Sequence, residues 1–116
     1  MASPIKTFAV SISTGATGLS GAISLEGQTP FAIEMSTGWT AASITMQGSR
    51  DGTNFFNLYK DDGTEYSLTA TASRYIVLQN PNHFIGLKAL KLRSGTSGSA
   101  VAQAATRALT LVGRDV

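Results

Sequence analysis

The sequence predicts an all-β protein: a single-domain antiparallel β-sandwich, jelly-roll-like, of about eight short strands. Three observations carry this reading. Apolar and polar residues alternate with a period of two in most hydrophobic runs, as in Ala42, Ile44 and Met46 against Ser43, Thr45 and Gln47. Turn-forming clusters recur roughly every 8–12 residues, the rhythm of antiparallel sheets rather than of βαβ units. No segment carries the signature of a long helix, and no repeat period suggests a solenoid. At 116 residues the chain suffices for one two-layer core. Residues 1–116 are therefore read as one domain, with short segments 1–6 and 113–116 available to dock on neighbours.

Residues 5–13 predict the first strand, with Phe8, Val10 and Ile12 on one face. Gly15, Gly18 and Gly21 break the pattern, as a hairpin connection or a mobile loop. Residues 22–26 form a short strand closed by a turn over 27–30, and residues 31–36 place Phe31, Ile33 and Met35 inward. The centre of the pattern is the stretch 39–66. It holds a strand over 42–47 and a turn over 49–53, in which Asp51 bonds nearby amides and Gly52 takes a positive φ. An aromatic return strand (54–59), a second turn (60–63) and a further strand (65–70) complete what reads as a three-stranded meander. Residues 74–79 are rich in β-formers. Residues 80–82 turn the chain, and 83–87 form a short turn or single helical loop that tucks Phe84 and Leu87 against the core. Residues 88–94 put Leu90 and Leu92 on one face and Lys91 and Arg93 on the other. A flexible loop over 94–99 and a brief helix or extended run over 101–106 lead to the last strand, 107–112.

Composition narrows the function. Charged residues are only 14% of the chain, against the usual quarter for soluble domains, so much of the surface is expected to be covered in the working state. Nine Lys and Arg against seven Asp and Glu give a net charge of +2 without any basic cluster, which argues against nucleic acid as a partner. The absence of cysteine excludes disulfides and thiolate metal sites. The N-terminus lacks a signal-peptide pattern and no apolar run is long enough to span a bilayer, so no membrane partner is expected and synthesis in a cytoplasm is the natural reading.

Chemistry-bearing patterns are sparse. The single histidine, His83, lies in a predicted turn and has no companion base or ligand. Asp51, Asp61, Asp62 and Glu65 are the one acidic concentration, and turn formation already accounts for them. The glycines at 15, 18 and 21 lack the context of a phosphate-binding loop. No catalytic residue, cofactor or metal site is expected. Trp39, Phe55 or Phe56, Tyr59 and Tyr75 are the rings that can stack on sugar faces, although their strand phase equally suits a core.

The run from Ser43 to Phe55 with Leu58 resembles the S-x-D-G-x-x-aromatic-x-x-L hairpin of discoidin-like β-sandwich modules. True discoidin modules are longer and bind ligands through loop spikes, for which this chain has no obvious counterpart. More broadly, residues 39–63 with 75–78, 84–87 and 90–96 resemble small structural proteins of tailed bacteriophages. That resemblance implies a non-enzymatic virion protein, made in the host cytoplasm. The expected role is a capsid decoration or cement protein that self-associates, with a homotrimer as the expected assembly, and clamps adjacent major capsid protein subunits. A low-charge surface rich in Ser, Thr and Ala suits such flat contacts. The expected contact regions are 1–6, 14–21, 94–99 and 113–116, with Lys6, Thr14, Gly18, Lys88, Lys91, Arg93, Ser97 and Arg114 as candidate residues. The alternative is a tail, baseplate or fibre module that binds host glycans through Trp39, Tyr59 and Tyr75.

Overall fold

Strands form where the alternation is strongest. The computed structural model describes residues 5–114. In chain order the strands are β1 (Ile5–Ile12), β2 (Ile23–Ser24), β3 (Thr29–Glu34), β4 (Ile44–Ser49), β5 (Phe56–Asn57), β6 (Ser67–Leu68), β7 (Tyr75–Val77), β8 (Ala89–Ser94) and β9 (Arg107–Arg114). One 3₁₀ turn, Pro81–Phe84, begins inside the turn expected at 80–82 and overlaps only the start of the helical loop expected at 83–87, with Pro81 supplying its fixed φ at the first position. The segment 101–106 is neither helix nor strand.

Two antiparallel sheets pack face to face, one in the order β1-β9-β3-β7 and the other in the order β2-β8-β4-β5, with β6 also on β4. The pairing is nested: β1 pairs β9, β2 pairs β8, β3 pairs β7, and β4 pairs β5 and β6. The chain is thus one long hairpin of strands, its first half laid against its second, and successive strands cross between the sheets everywhere except at β4, β5 and β6. This is the jelly-roll arrangement.

The expected three-stranded meander does not form. β5 meets Gln47 and Gly48, β6 meets Ile44 and Thr45, and both lie on the same edge of β4 because β8 occupies the other edge along its whole length. The Leu58 amide continues the ladder by donating to the Met46 carbonyl at 3.0 Å. β5 and β6 are therefore one interrupted strand, and residues 59–65 loop out between them as a small hairpin with a Tyr59–Glu65 bridge. Local turn chemistry drives the excursion: Asp62 accepts from both the amide and the hydroxyl of Thr64, and Gly63 takes a φ of 94°. Counting β5 and β6 as one gives eight strands among the described residues.

The core forms where the two inner faces meet. Phe8, Val10, Ile12, Ile33, Leu109 and Leu111 come from one sheet, Ile23, Ile44, Met46, Leu90 and Leu92 from the other, and Phe84 caps one end. β3 carries Pro30 next to an irregularity at Phe31, the place where a sheet tolerates a missing amide donor. Because Ile5 and Thr29 both register with Arg114, the first and last described residues share one end of the sandwich. The connections 13–22, 35–43 and 95–106 gather at the opposite end, where Ile12 meets Arg107.

Candidate functional site

The outer face of the β1-β9-β3-β7 sheet is poor in charge: among its described residues it carries Glu34 and, in the row of Ile5 and Thr29, Arg114. Since Phe8, Val10 and Ile12 point into the core, Thr7, Ala9 and Ser11 point out, and the register continues this phase across the sheet. Thr7, Val112, Ala32 and Val77 form one cross-strand row, of which Val112 and Ala32 are themselves buried, and Ala9, Thr110, Glu34 and Tyr75 form the next. Glu34 is the one charge in these rows. Three large hydrophobic side chains of this sheet are exposed: Ile5 (56%), Tyr75 (57%) and Val77 (65%). Tyr75 and Val77 lie side by side on the edge strand β7, and Ile5 shares their phase at the far end of β1.

The outer face of the other sheet is covered around Thr45 and Arg93 at the β4–β8 junction. Thr45 and Arg93, expected on its wet side, are both buried, Arg93 at 6% exposure. The Arg93 guanidinium donates to Asn57 Oδ1 at 2.6 Å, to Thr45 Oγ1 at 3.2 Å and to Glu65 Oε2 at 3.4 Å. The Glu65 carboxylate also accepts the Ser97 amide at 3.2 Å, and the Thr45 hydroxyl donates to the Gly95 carbonyl at 2.6 Å. The hairpin 59–65 and the loop 95–99 thus close over β8, and the arginine is satisfied internally. This corrects the expectation that Arg93 faces a partner. Beside it, the Lys91 ammonium lies 4.4 Å from the centre of the Phe55 ring, and Lys91 is half-buried.

The remaining contact candidates divide between the two ends. Lys6 pairs with Glu26 and stands 5.8 Å from the Phe8 ring centre, while Arg114 lies 5.9 Å from that of Phe31; Lys88 is exposed at the same end. Thr14 and Ser97 are exposed at the opposite end. Gly18 is also there but is buried: its carbonyl accepts the Ser94 amide at 2.8 Å, and its φ is 61°. A Cβ at Gly18 would stand 2.7 Å from the Ser94 carbonyl oxygen, so the glycine fastens its loop to β8 and is not a contact residue. The expected contact positions 1–4 and 115–116 lie outside the described residues.

The three rings proposed as a sugar platform are not assembled into one. Trp39 is half-buried against the core and its indole N–H donates to the Ala42 carbonyl at 3.1 Å. Tyr75 lies on the charge-poor face described above, and Tyr59 belongs to the looped-out hairpin on the other sheet. Tyr59 instead lines a cleft of about 370 Å³ with Asp61, Asp62, Tyr66, His83 and Phe84. There Tyr66 Oη and His83 Nδ1 are 3.3 Å apart, and burial raises the Tyr66 hydroxyl above its ordinary pKa. Hydrogen bonds from the Thr64 hydroxyl and amide hold the Asp62 carboxyl below the usual range. Among the described residues no group of three or more His, Asp or Glu is arranged to hold a metal ion, and no helix is long and apolar enough to cross a membrane.

One residue that sequence reasoning passed over organises the loop end. Gln103 is 2% exposed, and its side-chain amide accepts the Thr40 N–H at 2.7 Å and donates to the Thr40 carbonyl at 3.0 Å and to Ser94 Oγ at 2.7 Å. Arg107 Nε donates to Gln103 Oε1 at 3.1 Å. The signal available was a lone long polar side chain among small and apolar neighbours at 100–105.

The chain matches no protein-family model, no curated protein and no solved structure. Its surface is thus the guide to what it does: a charge-poor sheet face, a second face partly closed by its own loops, and a shallow aromatic cleft.

Proposed function

We propose that this protein is a non-enzymatic structural component of a bacteriophage virion, a capsid decoration or cement protein that self-associates and clamps adjacent major capsid subunits. The observation that carries the reading is the outer face of the four-stranded sheet, where small side chains, two charges (Glu34 and Arg114) and three exposed apolar side chains form a surface suited to another protein. A protein that binds an assembled lattice and not its dissociated subunits stabilises the lattice by mass action. The low charge content of the whole chain fits a surface covered in use.

The test is addition of purified protein to assembled capsids stripped of accessory proteins, read by electron cryomicroscopy and by the melting temperature of the shell. Ordered density at lattice symmetry positions with a raised melting temperature is the expected result. Shells that melt unchanged and carry no added density would reject the reading.

A second reading is favoured by the cleft beside Tyr59. An exposed tyrosine ring next to two carboxylates, a histidine and a lysine is the composition of a shallow sugar site, within the size range of small-ligand pockets. Under this reading the protein is a tail, baseplate or fibre module for host glycans. A glycan array decides it: selective binding that Tyr59→Ala abolishes supports recognition, and a blank array removes it.

A further inference from the structure

The sequence leaves the four edges of the two sheets in different conditions. β7 has three residues and β2 has two, and the β5/β6 edge is interrupted by the looped-out hairpin. Short and broken edges give a foreign strand little to pair with. β1 is the exception. It runs for eight residues in unbroken register with β9, from Ile5 opposite Arg114 to Ile12 opposite Arg107, with neither bulge nor proline. No strand among the described residues pairs with its other edge. In an antiparallel ladder alternate residues turn both N–H and C=O to the same side. Within residues 6–12, therefore, every second residue directs a backbone donor and acceptor away from β9.

We propose that β1 pairs antiparallel with β1 of a second copy across a two-fold axis, joining two four-stranded sheets into one of eight strands. This rests on the self-association proposed above and names its surface. Directly opposed residues in a sheet lie on the same face, so a two-fold axis normal to the sheet sets one residue against itself. Centring the axis on Ala9 overlaps residues 6–12, sets Thr7 against Ser11 and Phe8 against Val10, and keeps core-facing positions on the core side. Ala9 is exposed and small at the crossing point. The one charge of β1, Lys6, ends about 20 Å from its mate at 3.4 Å per residue, whereas a parallel in-register pairing sets the two ammonium groups side by side. A three-fold ring has to join β1 to a different edge, and each of those offers at most three consecutive strand residues. Two-fold pairing therefore stands in place of the expected trimer, and it lays the two outer faces side by side.

The absence of cysteine makes the test direct. In the full chain, Ala9→Cys is expected to form a disulfide-linked dimer under mild oxidation, since opposed Cα atoms in antiparallel strands lie about 4.5–5.5 Å apart, within disulfide reach. Ala108→Cys, exposed on the same face but on the inner strand β9, is expected to stay unlinked. Sedimentation of the unmodified protein is expected to give a dimer, and Ala9→Lys to weaken it about tenfold or more by opposing two like charges. Because residue 9 faces itself, a mixture of Ala9→Lys and Ala9→Glu chains is expected to restore dimers. A monomer or trimer in sedimentation, or linkage of Ala9→Cys no faster than of Ala108→Cys, overturns the pairing. Shell binding by a protein that is not dimeric would reject the edge pairing alone. A dimer that ignores shells would reject the decoration role alone.

Discussion

Arg93 and Glu65 meet at 3.4 Å over the outer face of the five-stranded sheet, and this contact fastens the hairpin between β5 and β6 onto β8. Removing the guanidinium takes one donor each from Glu65, Asn57 and buried Thr45, although Glu65 keeps the Ser97 amide and Asn57 keeps the Gln47 side-chain amide. Arg93→Ala is expected to cost about 3 kcal/mol, measured as a fall in the denaturation midpoint. Glu65→Gln is expected to cost about 1 kcal/mol, because Asn57 and Thr45 continue to accept from the arginine. Equal losses from the two variants would show that the ion pair, and not the wider hydrogen-bonded network, holds the arginine.

Gln103 stands in for a strand partner of Thr40 by satisfying both of its main-chain groups. Gln103→Ala is expected to cost about 2–3 kcal/mol and to speed amide exchange at residues 36–43. Gln103→Glu does not rescue it, since a carboxylate cannot donate to the Thr40 carbonyl. Unchanged exchange in the alanine variant would show that the loop is held by other contacts.

Gly18 adopts a φ that side chains resist, against the Ser94 carbonyl. Gly18→Ala is expected to destabilise the domain by at least about 1 kcal/mol in equilibrium unfolding. A neutral result would return Gly18 to the list of contact residues.

The Asp51 carboxylate accepts the Asn54 and Thr53 amides at 2.9 Å each, together with Asn54 and Ser49 side-chain donors. These bonds, with the Asn54 amide foremost, hold its pKa far below the ordinary value. A carboxyl with a depressed folded pKa adds stability above its unfolded pKa, about 4, and loses it as pH falls through the folded value. Asp51→Asn is therefore expected to melt below the wild type at pH 7, with the gap closing as pH drops from about 4 towards the acid limit. A gap independent of pH would show that the turn needs the shape of the side chain and not its charge.

On the charge-poor face, Tyr75→Asp and Val77→Asp change exposed side chains and are expected to shift folding stability by no more than about 1 kcal/mol. Each is expected to weaken binding to capsid shells about tenfold or more by placing a charge in an apolar contact. Wild-type affinity in both would move the contact surface off this face.

Alternation alone located β1, β3, β4, β8 and β9, because each has a run of core side chains that only one strand phase can bury. It misplaced Thr45 and Arg93, whose alternation is intact but whose outward side is roofed by loops distant in sequence. No local pattern states that a charged residue on the wet side will meet a carboxylate 28 positions away. The meander failed for a related reason. Turn signals at 60–63 were read correctly, but whether the returning leg lies beside β5 or beyond it on β4 is settled by the sheet. Of the residues expected at a contact, Lys6, Thr14, Lys88, Ser97 and Arg114 are exposed. The cleft around Tyr66 and His83 needs the 3₁₀ turn and the hairpin to be brought together, and no spacing in the chain records that.

The nested pairing is also expected to order the folding reaction. Once β4 and its partner strand have joined, β3 and β7 are already close, then β2 and β8, and last β1 and β9, so each step closes a short loop where a random order would close a long one. φ-value analysis is expected to give the highest values in β4 and β5 and the lowest in β1 and β9. The outermost strand is thus expected to be the last to zip shut, so that the long β1 edge exists only once the sandwich is complete.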